Sequence, residues 1–314
     1  MVIQKARLLA CEYYHVIFTL PHELNDLWRA NVAVMTTLLF ASVRDTLLEL
    51  LGDEAYLGAK PGIIATLHTW SQTLILHPHI HALVTGGGLT RTGQWVAVRH
   101  GFLLPSRVVM ALFRGKLLAA VRRAVRQGQR QLPAGMRPQR CDNLLNKLGR
   151  QKWNVHIRER YPHGAGVLTY LARYLRGGPL ANRRLVSCAR GEVTFRYRVN
   201  GEAIDHPRSG LMTLPMAEFI GRYLRHVPAP GTRVVRTYGL YAPTNGEALA
   251  VARALLEQGP VAALVILDWQ TAYSQRGADH PKRCPVCGRL LVCSGVIPRA
   301  SGPPAGAVLG ESVA

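Results

Sequence analysis

Leu76-His77-Pro78-His79-Ile80-His81-Ala82-Leu83-Val84 alternates imidazoles with proline, apolar or small residues. Side chains on a β-strand alternate between its two faces, so this spacing throws His77, His79 and His81 onto one face and turns Ile80 into the core. Successive residues on such a face have Cα atoms about 6.6 Å apart, near enough for two rings to converge on one divalent ion. Histidines also serve as packing or titrating residues, but three on one strand face favour a metal site.

Outward from this strand the hydrophobic period changes twice. Tyr13-Tyr14-His15-Val16-Ile17-Phe18-Thr19-Leu20 is aromatic and β-branched and stops at Pro21, the signature of a buried strand. From His22 to Leu51 apolar residues recur at three- and four-residue steps up to Gly52, which predicts one long amphipathic helix. Ile63 to Leu76 and His77 to Thr85 read as two strands, closed by Gly86-Gly87-Gly88, with a further short strand at Gln94 to Val98. Strand, helix, strand, strand predicts an α+β fold, with a largely antiparallel central sheet flanked by helices.

Between Gly101 and Arg158 stand thirteen Lys or Arg residues and one acid, Asp142. Arg107 to Gln129 has helical spacing, so part of this run is a basic helical face suited to phosphate contact. Val167 to Arg176, between glycines, predicts a short helix. Val193 to Val199 predicts a strand, and Phe219 to His226 and Glu247 to Gln258 predict helices. The Gly-, Ala-, Pro- and Ser-rich residues from Ser294 predict a disordered tail. The organisation expected is a main domain over 1–205 with a basic helical insertion, a smaller C-terminal region over 206–293, and a tail over 294–314.

Composition narrows the function classes. The 314 residues carry 39 Lys plus Arg against 18 Asp plus Glu, a formal charge of +21, so a polyanion is the natural partner. With 48% hydrophobic and 18% charged residues the chain is not a disordered basic tail. The longest apolar run, Ala248 to Leu267, is broken by Arg253, Glu257, Gln258, Gly259 and Pro260, and no membrane span is expected. Leu8-Leu9-Ala10-Cys11 resembles a lipoprotein cleavage site but lacks the apolar core a leader needs. Six unevenly spaced cysteines do not make a secreted disulfide framework, so a reducing cytoplasm is expected.

Two further elements bear on chemistry. In Tyr170-Leu171-Ala172-Arg173-Tyr174 an i,i+4 interval stacks two phenols on one side of a helix, within reach of one site. Taken alone such a pair reads as core. Beside a histidine-metal strand and a basic body, it suits phosphodiester cleavage through a protein–DNA covalent bond. Arg173, Arg176, Arg183 and Arg184 lie next to the tyrosines and are candidates to hold flanking phosphates, or plain surface arginines. Trp70, Trp95 and Trp153 are read as core rather than base-stacking platforms. Cys284-Pro285-Val286-Cys287-Gly288 has zinc-knuckle form, with Cys293 and His280 as the further candidates for a structural Zn²⁺, against free cysteines in a terminal extension.

The chain resembles the HUH superfamily of single-strand nucleases, whose motif of His, bulky hydrophobic, His is matched by His79-Ile80-His81. More closely it resembles the rolling-circle insertion-sequence transposases of the paired-tyrosine type, the family named after insertion sequence ninety-one and related to the Helitrons. The likeness runs in order from Tyr14-His15-Val16-Ile17-Phe18-Thr19-Leu20-Pro21-His22-Glu23-Leu24, through the histidine strand and the tyrosine pair, to Arg236-Thr237-Tyr238-Gly239-Leu240. It implies an HUH-nuclease-like fold and a bacterial, nucleoid-associated DNA transposase acting on single-stranded or hairpin ends. Tyr170 and Tyr174 would be the nucleophiles and His79 and His81 the ligands of Mg²⁺ or Mn²⁺, with zinc an alternative; His77, His68 and Gln72 are candidates for a third ligand. Family members carry a cysteine-rich zinc module ahead of the first strand, which this chain is expected to lack. A plasmid replication initiator or relaxase using the same chemistry, and a noncatalytic DNA-binding remnant, are the alternatives.

Overall fold

The computed structural model describes residues 2–128, 132–163, 178–199 and 209–261, with positions 268, 271, 283–284, 287–289 and 291 beyond them. Two compact units divide the chain, Met1–Ala262 and Ala263–Ala314. The helix predicted over Val167 to Arg176 and the tail predicted from Ser294 lie outside the described residues. Among the described residues no helix is long and apolar enough to cross a membrane.

The first unit is α+β. Its main sheet has six strands, and all its pairings are antiparallel. The strands are β1 (Tyr13–Thr19), β2 (Lys60–Trp70), β3 (Leu76–Leu89), β4 (Trp95–Ala97), β5 (Asn154–Tyr161) and β9 (Val235–Gly239). The order is β5-β1-β3-β2-β9, with β4 on the far end of β3. The second sheet is β6 (Leu185–Ala189), β7 (Glu192–Arg198) and β8 (Ser209–Pro215) in that order.

One face of the main sheet carries the large core. Tyr14, Val16 and Phe18 of β1, Ile63, Ala65 and Leu67 of β2, and Ile80, Ala82 and Val84 of β3 are buried there. Against them pack α3 (Val32–Gly52), α4 (Ser106–Arg126) and α5 (Pro138–Arg150), through Met35, Leu39, Val43 and Leu47 of α3 and Phe113 and Leu117 of α4. Each large aliphatic or aromatic side chain so buried contributes about 1.5–3 kcal/mol, and the i, i+4 repeat of α3 delivers one per turn. The basic helical face expected between Gly101 and Arg158 is therefore two helices and an edge strand, whose apolar stripes face inward.

The helix expected to run unbroken from His22 to Leu51 is interrupted. A 3₁₀ turn at His22–Leu24 and a short helix α2 (Asn25–Ala30) precede α3, and Asn31 between them leaves helical geometry at φ −145° and ψ 45°. Its amide donates back to the Leu27 carbonyl at 3.1 Å while its own carbonyl accepts from Met35 N at 2.9 Å. Asparagine closes one helix and starts the next, and the apolar period continues across the break because both helices face the same core.

The strand β3 also runs further than its glycines suggest. Gly86, Gly87 and Gly88 stay in the strand because β4 and β2 crowd it there. A Cβ on Gly87 would stand 2.6 Å from the Trp95 ring, and one on Gly88 would stand 2.7 Å from the Lys60 carbonyl oxygen.

On the second face of the main sheet a smaller apolar cluster forms at one end. Tyr13, Ile64 and Leu83 pack there with Leu9, Leu240, Tyr241, and Leu249 and Ala252 of the helix Gly246–Leu255. The histidines occupy the same face at the other end.

Candidate metal centre

The hairpin that joins β2 to β3 sets the site. Its register places His68 directly opposite His79 and Thr66 opposite His81, so these histidines share one face of two adjacent strands. The turn is held in several ways. Ser71 Oγ accepts from the backbone N–H groups of Thr73 and Ile75 at 3.2 Å each. Leu74 adopts a left-handed conformation, φ 62°, which costs a non-glycine residue about 1–2 kcal/mol. Burial of its side chain among Leu180, Phe195 and Leu214 of the small-sheet core offsets that cost. Three successive turn carbonyls are also capped: Gln72 by Arg184 at 2.6 Å, Thr73 by Arg222 at 3.2 Å, and Leu74 by His226 Nε2 at 3.0 Å.

His68, His79 and His81 form a group able to hold a metal ion, with one ring nitrogen from each lying within 4.8 Å of the others. Ring centroids are 4.3 Å apart for His68 and His81, 4.9 Å for His79 and His81, and 5.4 Å for His68 and His79. Of the three candidates for a third ligand, His68 is the one in this group. His77 stands beside His79, centroids 5.2 Å apart, and its backbone carbonyl accepts a 2.6 Å hydrogen bond from His79 Nδ1. Gln72 lies in the turn, off the strand face.

The hydrogen bonding and electrostatics suit a cation. A carbonyl only accepts, so His79 carries its proton on Nδ1 and keeps the Nε2 lone pair for ligation. Burial, first of all, holds the rings neutral: His79 is lowered to about 4, and His68 and His81 lie well below the usual imidazole value. Neighbouring imidazoles add to the effect at His68 and His81, and at His81 the Arg158 guanidinium does as well. Neutral imidazole is the metal-binding form, so the donor set and its protonation fit a divalent ion.

Two residues near the cluster escaped sequence reasoning. His15 of β1 is 3% exposed, and its Nε2 lies 2.7 Å from His81 Nδ1. Arg158 of β5 lies close enough for its charge to depress both His15 and His81. The visible signal was parity: His15 and Arg158 alternate with buried apolar neighbours, though parity alone does not say which strands become adjacent.

The remaining candidates fall elsewhere. Tyr170, Tyr174, Arg173, Arg176, His280 and Cys293 lie outside the described residues. Arg183 is exposed, whereas Arg184 donates to the carbonyls of Arg196 at 2.7 Å and Gln72 at 2.6 Å. Within the second unit, Gly288 N donates to the Cys284 carbonyl and Cys284 N to the Arg289 carbonyl, each at 2.8 Å. Trp153 is core, edge-on to Phe113, and Trp95 packs over Gly87. Trp70 stacks on His68 with centroids 4.9 Å apart.

The sequence from residue 62 to 248, which includes most of β2, all of β3 and the tyrosine pair, matches the Y2_Tnp family, described as "Putative transposase". The chain belongs to this transposase family. It is 32% identical over 312 residues to "Putative transposase y4qJ" of Sinorhizobium fredii, an alignment covering 96% of this chain and 77% of that protein. It is 28% identical over 311 residues to the "Transposase for insertion sequence element IS801" of Pseudomonas savastanoi pv. phaseolicola, covering 95% of this chain and 71% of that one. The resemblance to insertion-sequence transposases drawn from the ordered motifs therefore holds. No solved structure matches the chain.

Proposed function

We propose that this Y2_Tnp transposase nicks and rejoins single-stranded or hairpin DNA through a 5′-phosphotyrosine intermediate, as a rolling-circle mechanism requires. The observation that carries the reading is the convergence of His68, His79 and His81 on one face of adjacent strands. These three residues would hold the cation, with remaining positions left to oxygen ligands. Imidazole ligands suit Mn²⁺ better than Mg²⁺, which prefers oxygen, and they also suit zinc. When bound, a divalent ion supplies Lewis-acid polarisation of a phosphoryl oxygen.

The chain's own groups supply the rest. A phenol with its ordinary pKa near 10 is a weak nucleophile at neutral pH and attacks only when placed in line with an electrophilic phosphorus. In this reading Tyr170 or Tyr174 attacks the scissile phosphorus: the Tyr oxygen–phosphorus bond forms as the bond to the 3′ oxygen breaks, and that oxygen leaves as a 3′ hydroxyl. One phosphodiester replaces another, so rejoining needs no ATP. The second tyrosine permits a second cleavage while the first remains esterified. Arg158 and Arg183, both exposed, would meet backbone phosphates. The Cys284 and Cys287 pair is a candidate half-site for structural zinc, with Cys293 and His280 completing it.

The test is incubation with a labelled single-stranded transposon end and Mn²⁺, followed by denaturing electrophoresis. A detergent-resistant protein–DNA adduct is expected. The double substitution Tyr170→Phe and Tyr174→Phe should remove the adduct while leaving DNA binding in place; an undiminished adduct would refute the nucleophile assignment.

A further inference from the structure

We propose that His15 is a positioning residue for the metal centre, its Nε2 accepting the Nδ1 proton of His81 so that His81 presents its Nε2 lone pair to the cation. The inference rests on the metal reading above and adds to it a residue outside both the ligand group and the stretch matched by the family.

The geometry points to it through the pairing of β1 with β3. His15 lies opposite Leu83, which makes His81, two residues along β3, its diagonal neighbour on the same face. The two ring planes are 24° apart with centroids 4.9 Å apart. A 2.7 Å separation of Nε2 from Nδ1 plus the two ring radii accounts for that distance, so the hydrogen bond runs nearly in the plane of both rings. His15 is 3% exposed and His81 8%, which keeps water from competing for the bond.

His79 shows the same device with a different acceptor. Its Nδ1 is engaged by the His77 carbonyl at 2.6 Å, which leaves Nε2 for ligation. With His81 Nδ1 engaged by His15, both ligands on β3 are oriented in the same sense, each ring fixed by a partner behind it. Metal-ligating histidines are ordinarily fixed through their second nitrogen in this way, and loss of such a partner typically costs about 10–100-fold in metal affinity. Here the partner of one ligand is a side chain, supplied by a strand that contributes nothing else to the ligand group. It can therefore be replaced without touching the ligands.

His15→Phe keeps a flat ring and removes the acceptor. His15→Gln offers an amide oxygen near the position of Nε2. Mn²⁺ titration of the full chain should show His15→Phe weakened by about 10–100-fold and His15→Gln restored to within about threefold of the parent. Nitrogen-15 histidine spectra of the metal-free parent, with His81→Ala to assign the signal, should show His81 protonated on Nδ1. That measurement decides the matter even if His15→Phe does not fold. Parent-like Mn²⁺ affinity in folded His15→Phe, or a His81 proton on Nε2, would overturn the proposal. So would a drop in the number of imidazole nitrogens coupled to Mn²⁺ in His15→Phe by pulsed EPR, because His15 would then be a ligand itself. Failure of the unsubstituted chain to bind Mn²⁺ would instead overturn the metal reading, and the His81 spectrum would still report on the His15 contact.

Discussion

His68 stands directly across the β2–β3 ladder from His79, and this pairing brings a histidine from outside the HUH triplet into the group able to hold a metal ion. His77, only two residues from His79, contributes its carbonyl instead. His68→Ala should therefore weaken Mn²⁺ binding by more than about 100-fold, beyond the ~10–100-fold that loss of an outer partner costs. His77→Ala keeps the carbonyl and should stay within about threefold. Calorimetric titration of the two variants compares them directly, and equal losses would mean the ligand set is misassigned.

The burial that lowers these imidazoles has a defined consequence for stability. Unfolded histidines take up protons near pH 6.5, whereas His15 and His79 in the folded chain do so only at about 4. Between those values the unfolded chain binds more protons, so stability of the metal-free protein is greatest above pH 6.5 and falls as the pH drops towards 4. Denaturant titrations at pH 7.5, 6 and 5 should give successively lower midpoints. A flat profile would mean that the rings are solvated.

Gly87→Ala tests the crossing of β3 and β4. The added methyl meets the Trp95 ring and the Val96 carbonyl at 2.6 and 2.7 Å, and overpacking of this kind costs about 1–3 kcal/mol. Urea unfolding should show a loss in that range.

Arg184 separates a structural role from a phosphate-binding one. Its two bonds to carbonyls tie the small sheet to the turn before β3, so Arg184→Ala should lower stability by about 1–2 kcal/mol. The salt dependence of DNA binding should be unchanged. A fall in that slope by about one unit would instead place a phosphate on Arg184.

The sequence was most legible where local chemistry repeats. Alternation at His77, His79 and His81 marked the strand and its polar face, and Tyr13 to Leu20 marked β1, because period-two patterning survives whatever the neighbours are. The metal group was half visible. His68 sits on a recognisable strand, but its place opposite His79 depends on the residues spent in the Ser71–Ile75 turn and on the positive φ of Leu74, which no propensity rule assigns to leucine. His15 required the order of strands in the sheet, a long-range property. The break at Asn31 was masked because α2 and α3 bury one continuous apolar stripe, and β5 was hidden within a run of charges although Val155 and Ile157 alternate with His156 and Arg158.

In the proposed mechanism, a cation held by His68, His79 and His81 is needed for covalent attachment to DNA. The most direct test is adduct yield on a labelled single strand after chelation with EDTA, before and after Mn²⁺ is returned, in the parent and in the variant carrying both His79→Ala and His81→Ala. Chelation should abolish the adduct, Mn²⁺ should restore it in the parent, and the variant should form none under either condition. Adduct formation by the chelated parent, or by the variant at parental yield, would contradict this mechanism.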